Sequence, residues 1–226
     1  DNVVFTNNIL DDIDATGIFT VTSGTLNNWE VTNNRLTNIG DPGDLFSGMN
    51  LWDVNDLTVT GNYIENVSYA GIQLDGTSSA MVSNNTIINV NQQGIQVGRN
   101  VSNVTISDNT INMANTANSA DKGGIRVYGN NVSDIDITGN TVTNSFNGIA
   151  VRNGEDITGD GIRVNNNSFD ASNTNAGAYN GGTGTLDATS NFWGASTGPD
   201  TAGASTTSGD VLACPWLESF PGGPLS

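Results

Sequence analysis

The sequence predicts an all-β fold: one parallel β-solenoid of about eight coils, with three short strands in each coil. Three observations predict it. Asn followed two residues later by an apolar residue recurs at Asn8, Asn34, Asn62, Asn85, Asn109, Asn140, Asn167 and Asn191, at spacings of 26, 28, 23, 24, 31, 27 and 24. Between these positions, Gly followed by an apolar residue recurs at Gly17, Gly48, Gly71, Gly94, Gly124 and Gly148. Within each unit hydrophobicity alternates with a period of two, and no stretch carries helical periodicity.

Each element follows from its residues. The strand before each Asn alternates cleanly, as in Leu57-Thr58-Val59-Thr60 and Val104-Thr105-Ile106-Ser107. So does the strand after each Gly, as in Ile72-Gln73-Leu74-Asp75 and Ile125-Arg126-Val127-Tyr128. Asn, Gly, Ser and Asp join the strands, because turns accept them. A repeat of this length is too short for a propeller blade, which needs about 40 residues or more. It suits a coil that buries its apolar side chains and pairs its backbone with the coils above and below. At about 4.8 Å per coil, eight coils give a rod of about 40 Å. An Asn at one fixed corner is expected to form a ladder of stacked amides. Residues 1–196 form the solenoid in this reading, and residues 197–226 a Gly/Pro-rich capping segment. A row of Thr6, Thr32, Thr60, Ser83, Ser107, Thr138, Asn165 and Thr189 points outward. An ice-binding face would need the neighbouring row to be uniform too. That row, from Val4 and Glu30 to Met81 and Arg163, is not, so the Thr row reads as ordinary β-propensity.

The end of the chain carries the most specific motif. Leu186-Asp187-Ala188-Thr189-Ser190-Asn191-Phe192-Trp193-Gly194 is followed by Gly198-Pro199 and then by Cys214-Pro215-Trp216-Leu217. It resembles the closing coil of right-handed parallel β-helix repeat proteins, with an Asn-aromatic-Trp-Gly turn and a final Pro-Trp-Leu cap. Cys214 stands where a small polar residue is more usual, and it is read as a buried small apolar residue. The resemblance implies a right-handed β-helix in an extracellular or cell-surface setting. It implies no single activity, because the fold carries lyases, hydrolases, epimerases, adhesins and inert rods.

Composition narrows the chemistry. Six Lys plus Arg stand against 23 Asp plus Glu, with a net charge of −17. That argues against a nucleic-acid partner or an anionic membrane. The chain has no His and one Cys, so His-based triads, His-ligated zinc, internal disulfides and cysteine metal clusters are excluded. No apolar run reaches the ~18 residues of a membrane span. The chain opens in the middle of a pattern at Asp1-Asn2-Val3-Val4-Phe5, which reads as a processed or excised piece of a longer secreted product.

The strand after the Gly carries the candidate site. Its outward positions include Trp52, Gln73, Asp75, Gln96, Arg126, Tyr128 and Arg152. In the first coil, Phe19 and Val21 fall outside this phase. Longer connections around Gly40–Asp44 and Thr116–Lys122 emerge three coils apart on one edge and are expected to wall a trough. An aromatic ring with amides, a carboxylate and guanidinium groups suits a polysaccharide's apolar faces and hydroxyls. Catalysis is not expected, because no pair of carboxylates converges there. The alternative is a polysaccharide lyase or glycoside hydrolase working through Asp75, Asp121 and Arg126. No cofactor is expected apart from calcium, for which Asp53, Asp56, Asp156 and Asp160 are the candidate ligands in oxygen-rich turns. The competing reading is that Asp and Asn are good turn formers. Sequons begin at Asn66, Asn84, Asn100, Asn103, Asn131 and Asn166. The expected partners are a second copy end to end, through Trp193, Trp216 and Phe220, or neighbouring domains of a longer surface protein. The expected role is a stalk, adhesin or filament subunit.

Overall fold

The computed structural model describes residues 2–20, 24–115 and 118–219. Val21, Thr116, Ala117 and Phe220 lie outside the described residues. The chain winds as a right-handed β-helix whose strands stack into three parallel sheets. Among the described residues, sheet A has nine strands, eight of them before a repeated Asn; sheet B has seven, each after a repeated Asn; and sheet C has eight, six of them at the repeated Gly. The register is continuous. On sheet A the Thr row runs Thr6, Thr32, Thr60, Ser83, Ser107, Thr138 and Asn165, each beside the next.

The corner between sheets A and B rests on two adjacent residues. The first lies in the left-handed region: Asn7, Asn33, Gly61, Asn84, Asp108, Gly139, Asn166 and Ser190 all have φ between 55° and 69°. Asn, Asp and Gly enter that region at least cost. The second is the repeated Asn, buried from Asn34 to Asn191. Each of these Asn residues donates both its backbone N–H and its Nδ2 to the Oδ1 of the next, at 2.8–3.0 Å, from Asn8 to Asn191. From Asn34 onward the Nδ2 also donates to a sheet A carbonyl of the coil before, such as Val82 for Asn109 and Ile106 for Asn140. The buried amides are therefore well satisfied, as an interior requires.

The corner between sheets B and C needs Gly for a steric reason. A Cβ at Gly48, Gly71 or Gly94 would sit 2.6–2.7 Å from the carbonyl oxygen of the next Gly in the row. It would also meet Ile64, Ile87 or Ile111 at 3.0 Å or closer. Inside, aliphatic side chains stack by column, as in Met49, Ile72, Ile95, Ile125 and Ile149 on sheet C.

Strict alternation fails in sheet B. Leu36 and Ile39, Ile64 and Val67, and Ile87 and Val90 all face the core three residues apart. Between them Asn38, Asn66 and Asn89 adopt φ of 54–57°. One left-handed residue inserts an extra step, as in a bulge, so both flanking apolar residues turn inward. Sheet A repeats the device at Asp56, Asn103 and Asp134. These rows also account for the sequons. Asn66, Asn84, Asn100, Asn103, Asn131 and Asn166 are all exposed with φ of 53–60°. The residue after each is buried, so the fold itself writes Asn, an inward residue, then Ser or Thr.

The closing segment adds strands as well as covering the end. Thr207–Gly209 joins sheet C and Val211–Leu212 joins sheet A. Ser190 donates its amide to the Pro215 carbonyl and Leu217 donates to that of Asn191, which closes the corner column. Two expectations are corrected here. Trp193 is fully buried with its ring centroid 5.7 Å from that of Phe169, so it is core and lies on no mating surface. Cys214 is exposed, two residues past the last strand of sheet A.

Asn109→Ala should cost about 3–5 kcal/mol in urea unfolding, since the Asn85 donors and the Val82 carbonyl lose their partner inside the core. Asn112→Ala, on the surface beside Asn144, should cost under about 1 kcal/mol. Equal costs would show that the buried column has no special weight.

Candidate functional site

The outer face of sheet C carries a groove of about 470 Å³. Register builds it. Asn50, Gln73, Gln96 and Arg126 form one outward column, and Trp52 stands beside Asp75 in the next. All seven residues that the sequence singles out line the groove: Trp52, Gln73, Asp75, Gln96, Arg126, Tyr128 and Arg152. Tyr69, Arg99 and Lys122 join them.

The floor is fixed by hydrogen bonds. Asp75 accepts from the Arg99 backbone amide at 2.8 Å and from Gln73 Nε2 at 3.0 Å. Gly98 makes the first bond possible, because a Cβ there would lie 2.2 Å from Asp75 Oδ1. Arg126 is 6% exposed and is held on three sides. Its Nε donates to the Asp121 carbonyl at 3.0 Å, Nη2 meets the Asp121 carboxylate at 2.9 Å, and Nη1 donates to Gln96 Oε1 at 3.2 Å. Gln96 is 1% exposed and also accepts from Gln93 Nε2. This corrects the expectation that Gln96 and Arg126 present themselves to solvent. They occupy outward positions, but the loop carrying Asp121 and Lys122 covers them.

That loop is stiff. Asn115 Nδ2 donates to the carbonyls of Ser119 and Lys122, and Asn147 Nδ2 donates to those of Ala120 and Lys122. Lys122 donates through Nζ to Gln92 Oε1. Burial first, and then the neighbouring Arg126 charge, hold its pKa below the usual lysine range, against an opposing pull from Asp121.

Tyr128 gathers the cations. The guanidinium carbons of Arg152, Arg126 and Arg99 lie 4.6, 4.7 and 5.2 Å from its ring centroid. Arg99 also donates to its hydroxyl at 2.5 Å. The ring's negative face attracts each cation, and the carboxylates of Asp121 and Glu155 offset part of their mutual repulsion. At the other end Phe19 packs edge-on against Trp52, with centroids 5.7 Å apart and planes at 76°. Both rings are exposed. The first coil thus extends the aromatic face, although sequence phase had set it aside.

The Gly40–Asp44 insertion does not wall this groove. It lines a separate cavity with Asp12, Asp14, Asn38 and Asn66. The metal candidates also scatter. Asp53 lines the groove, Asp56 sits in a left-handed turn of sheet A, and Asp156 and Asp160 share a turn four coils on. There the hydrogen bonds from Thr158 lower the Asp156 pKa, while burial and then Asp156 raise that of Asp160. Among the described residues the one three-carboxylate group is Asp14, Asp41 and Asp44, within 4.8 Å of one another. It unites two acidic turns that are distant in sequence.

Against known proteins, the family model for the right handed beta helix region matches residues 1–169. No curated protein and no solved structure matches the chain.

Gly98→Ala should displace the Asp75 carboxylate and free the Arg99 amide. Hydrogen exchange at that amide should speed up by about 10-fold or more, the loss of ~1.4 kcal/mol of protection. Unchanged exchange would mean that the bond does not hold the turn.

Proposed function

The chain belongs to the right-handed β-helix family, and from that premise we propose that it is a non-catalytic structural and adhesive module of the cell surface or extracellular space. In this reading the rod gives reach and rigidity between neighbouring domains of a longer surface protein, and the sheet C groove contacts a polysaccharide.

The observation that carries it is the groove's composition on a fixed frame. The exposed Phe19–Trp52 pair offers flat apolar surface for the carbon faces of a sugar. Gln73, Asp75 and Tyr128 offer donors and acceptors for hydroxyls. Hydrogen bonds already hold these groups in place, so binding orders few side chains and keeps more of its free energy.

The same geometry weighs against the lyase or hydrolase alternative. A general acid or base must be able to reach a substrate proton. Asp121 is committed to Arg126, and Arg126 is buried beneath the loop and stacked on Tyr128. Both oxygens of Asp75 already accept hydrogen bonds. These contacts favour holding over turnover.

A glycan array probed with the intact chain tests the reading. Binding should fall by about 10-fold or more in Trp52→Ala and several-fold in Gln73→Ala, with the fold retained. Incubation with the bound glycans should yield no new reducing ends and no unsaturated products. Cleavage that stops in Asp75→Asn would replace this reading with the enzymatic one. Binding indifferent to Trp52 would remove the groove from the account.

A further inference from the structure

The cations of this chain are not spread over its surface. It holds six, and four of them, Arg99, Lys122, Arg126 and Arg152, line the one groove on sheet C. The other two lie elsewhere: Arg35 against the Tyr63 ring on sheet B, and Arg163 paired with Asp136 on sheet A. In a protein of net charge −17, gathering four like charges at one place is unfavourable unless something negative belongs there.

The charges inside the groove are also sorted along its length. The acidic residues Asp53 and Asp75 stand at the Trp52 end. The four cations lie one to three coils further on, around Tyr128. Two of them are neutralised in place, Arg126 by Asp121 and Arg152 by Glu155. Among the described residues, neither Arg99 nor Lys122 takes part in an ion pair. Arg99 is exposed, and the Tyr128 ring and hydroxyl fix its guanidinium. Lys122 is held over the floor by Gln92. The planar guanidinium of Arg99 and the ammonium of Lys122, both held in place, suit a carboxylate or a sulfate.

Building on the saccharide reading of the groove, we infer that its ligand is an acidic polysaccharide, whose carboxylate or sulfate groups sit between Arg99 and Lys122 beside Tyr128 while an uncharged ring face lies on Trp52. From Trp52 to Arg152 the groove spans four coil steps, about 19 Å at the usual strand spacing. That length takes several sugar units, not one small anion. A polynucleotide suits it less, because its closely spaced phosphates would meet the acidic end of the groove and the rest of a strongly acidic rod.

Affinity electrophoresis of the intact chain in native gels tests the assignment. The gels contain polygalacturonate, hyaluronate or dextran sulfate, set against dextran, fully methyl-esterified galacturonan and single-stranded DNA. Retardation by at least one acidic polysaccharide is expected, despite the repulsion of like net charges. The Arg99→Gln/Lys122→Gln double variant should bind about 10-fold more weakly, and Arg163→Gln should bind as the parent does. Circular dichroism confirms that each variant is folded. The Nζ resonance of Lys122, the single lysine, should titrate at higher pH with the polyanion bound, since a bound anion favours the charged amine. Retardation by dextran or by esterified galacturonan equal to that by the acidic gels would overturn the acidic class and leave the saccharide groove standing. No retardation in any gel would overturn both. Stronger retardation by DNA would overturn the saccharide assignment.

Discussion

Every coil gives its neighbour one buried amide, and that gift fixes the phase of the rod. The Asn column from Asn8 to Asn191 pins the corner between sheets A and B at each turn. An unpaired amide in an aliphatic interior costs about 1–3 kcal/mol, so a coil that slipped by one residue would lose its own bonds and break those next to it. Apolar packing alone would not choose a register so sharply, since Ile and Val stack on Ile and Val in many ways. The amide is the directional element in an otherwise non-directional core.

Because the phase is pinned at one corner, coil length can vary elsewhere. Successive Asn residues are 23 to 31 residues apart, yet the ladder bonds keep their length. The two longest coils put their surplus between sheets B and C, and the Asn140–Asn167 coil puts its own between sheets C and A, so in each the ladder corner is left alone. One surplus segment, held by Asn115 and Asn147, folds back over Gln96 and Arg126. A groove therefore arises where the repeat is interrupted, on a floor whose side chains the repeat has already aligned. Trp52 and Asp75 are adjacent only because their strands are in register.

The fold was legible because its markers are local and repeated. An Asn that must satisfy an amide, and a Gly whose Cβ would strike a carbonyl, leave the same mark in every coil. The groove was legible in part. Trp52, Gln73, Asp75 and Tyr128 sit on strands, where period two tells outside from inside. Arg99 and Lys122 sit in turns and loops, where no period speaks, although the clustering of four of six cations between residues 99 and 152 was a signal. The burial of Gln96 and Arg126 was not legible, because it depends on where a loop lands. Nor was the three-residue spacing of Leu36 and Ile39, because it needs Asn38 in a left-handed conformation, and Asn is common in this chain whatever its conformation. The sequons fall on exposed left-handed positions, where the backbone favours Asn and the next residue turns inward.

The spine and the groove are held by different kinds of group. The column that holds the coils together is made of carboxamides and peptide groups, none of which gains or loses a proton in ordinary water. The chain has no histidine to add a switch near neutrality. The groove, by contrast, is held by carboxylates gripping an amide and a guanidinium, at Asp75 with Arg99 and at Asp121 with Arg126. The register of the rod therefore rests on groups that acid and alkali leave unchanged.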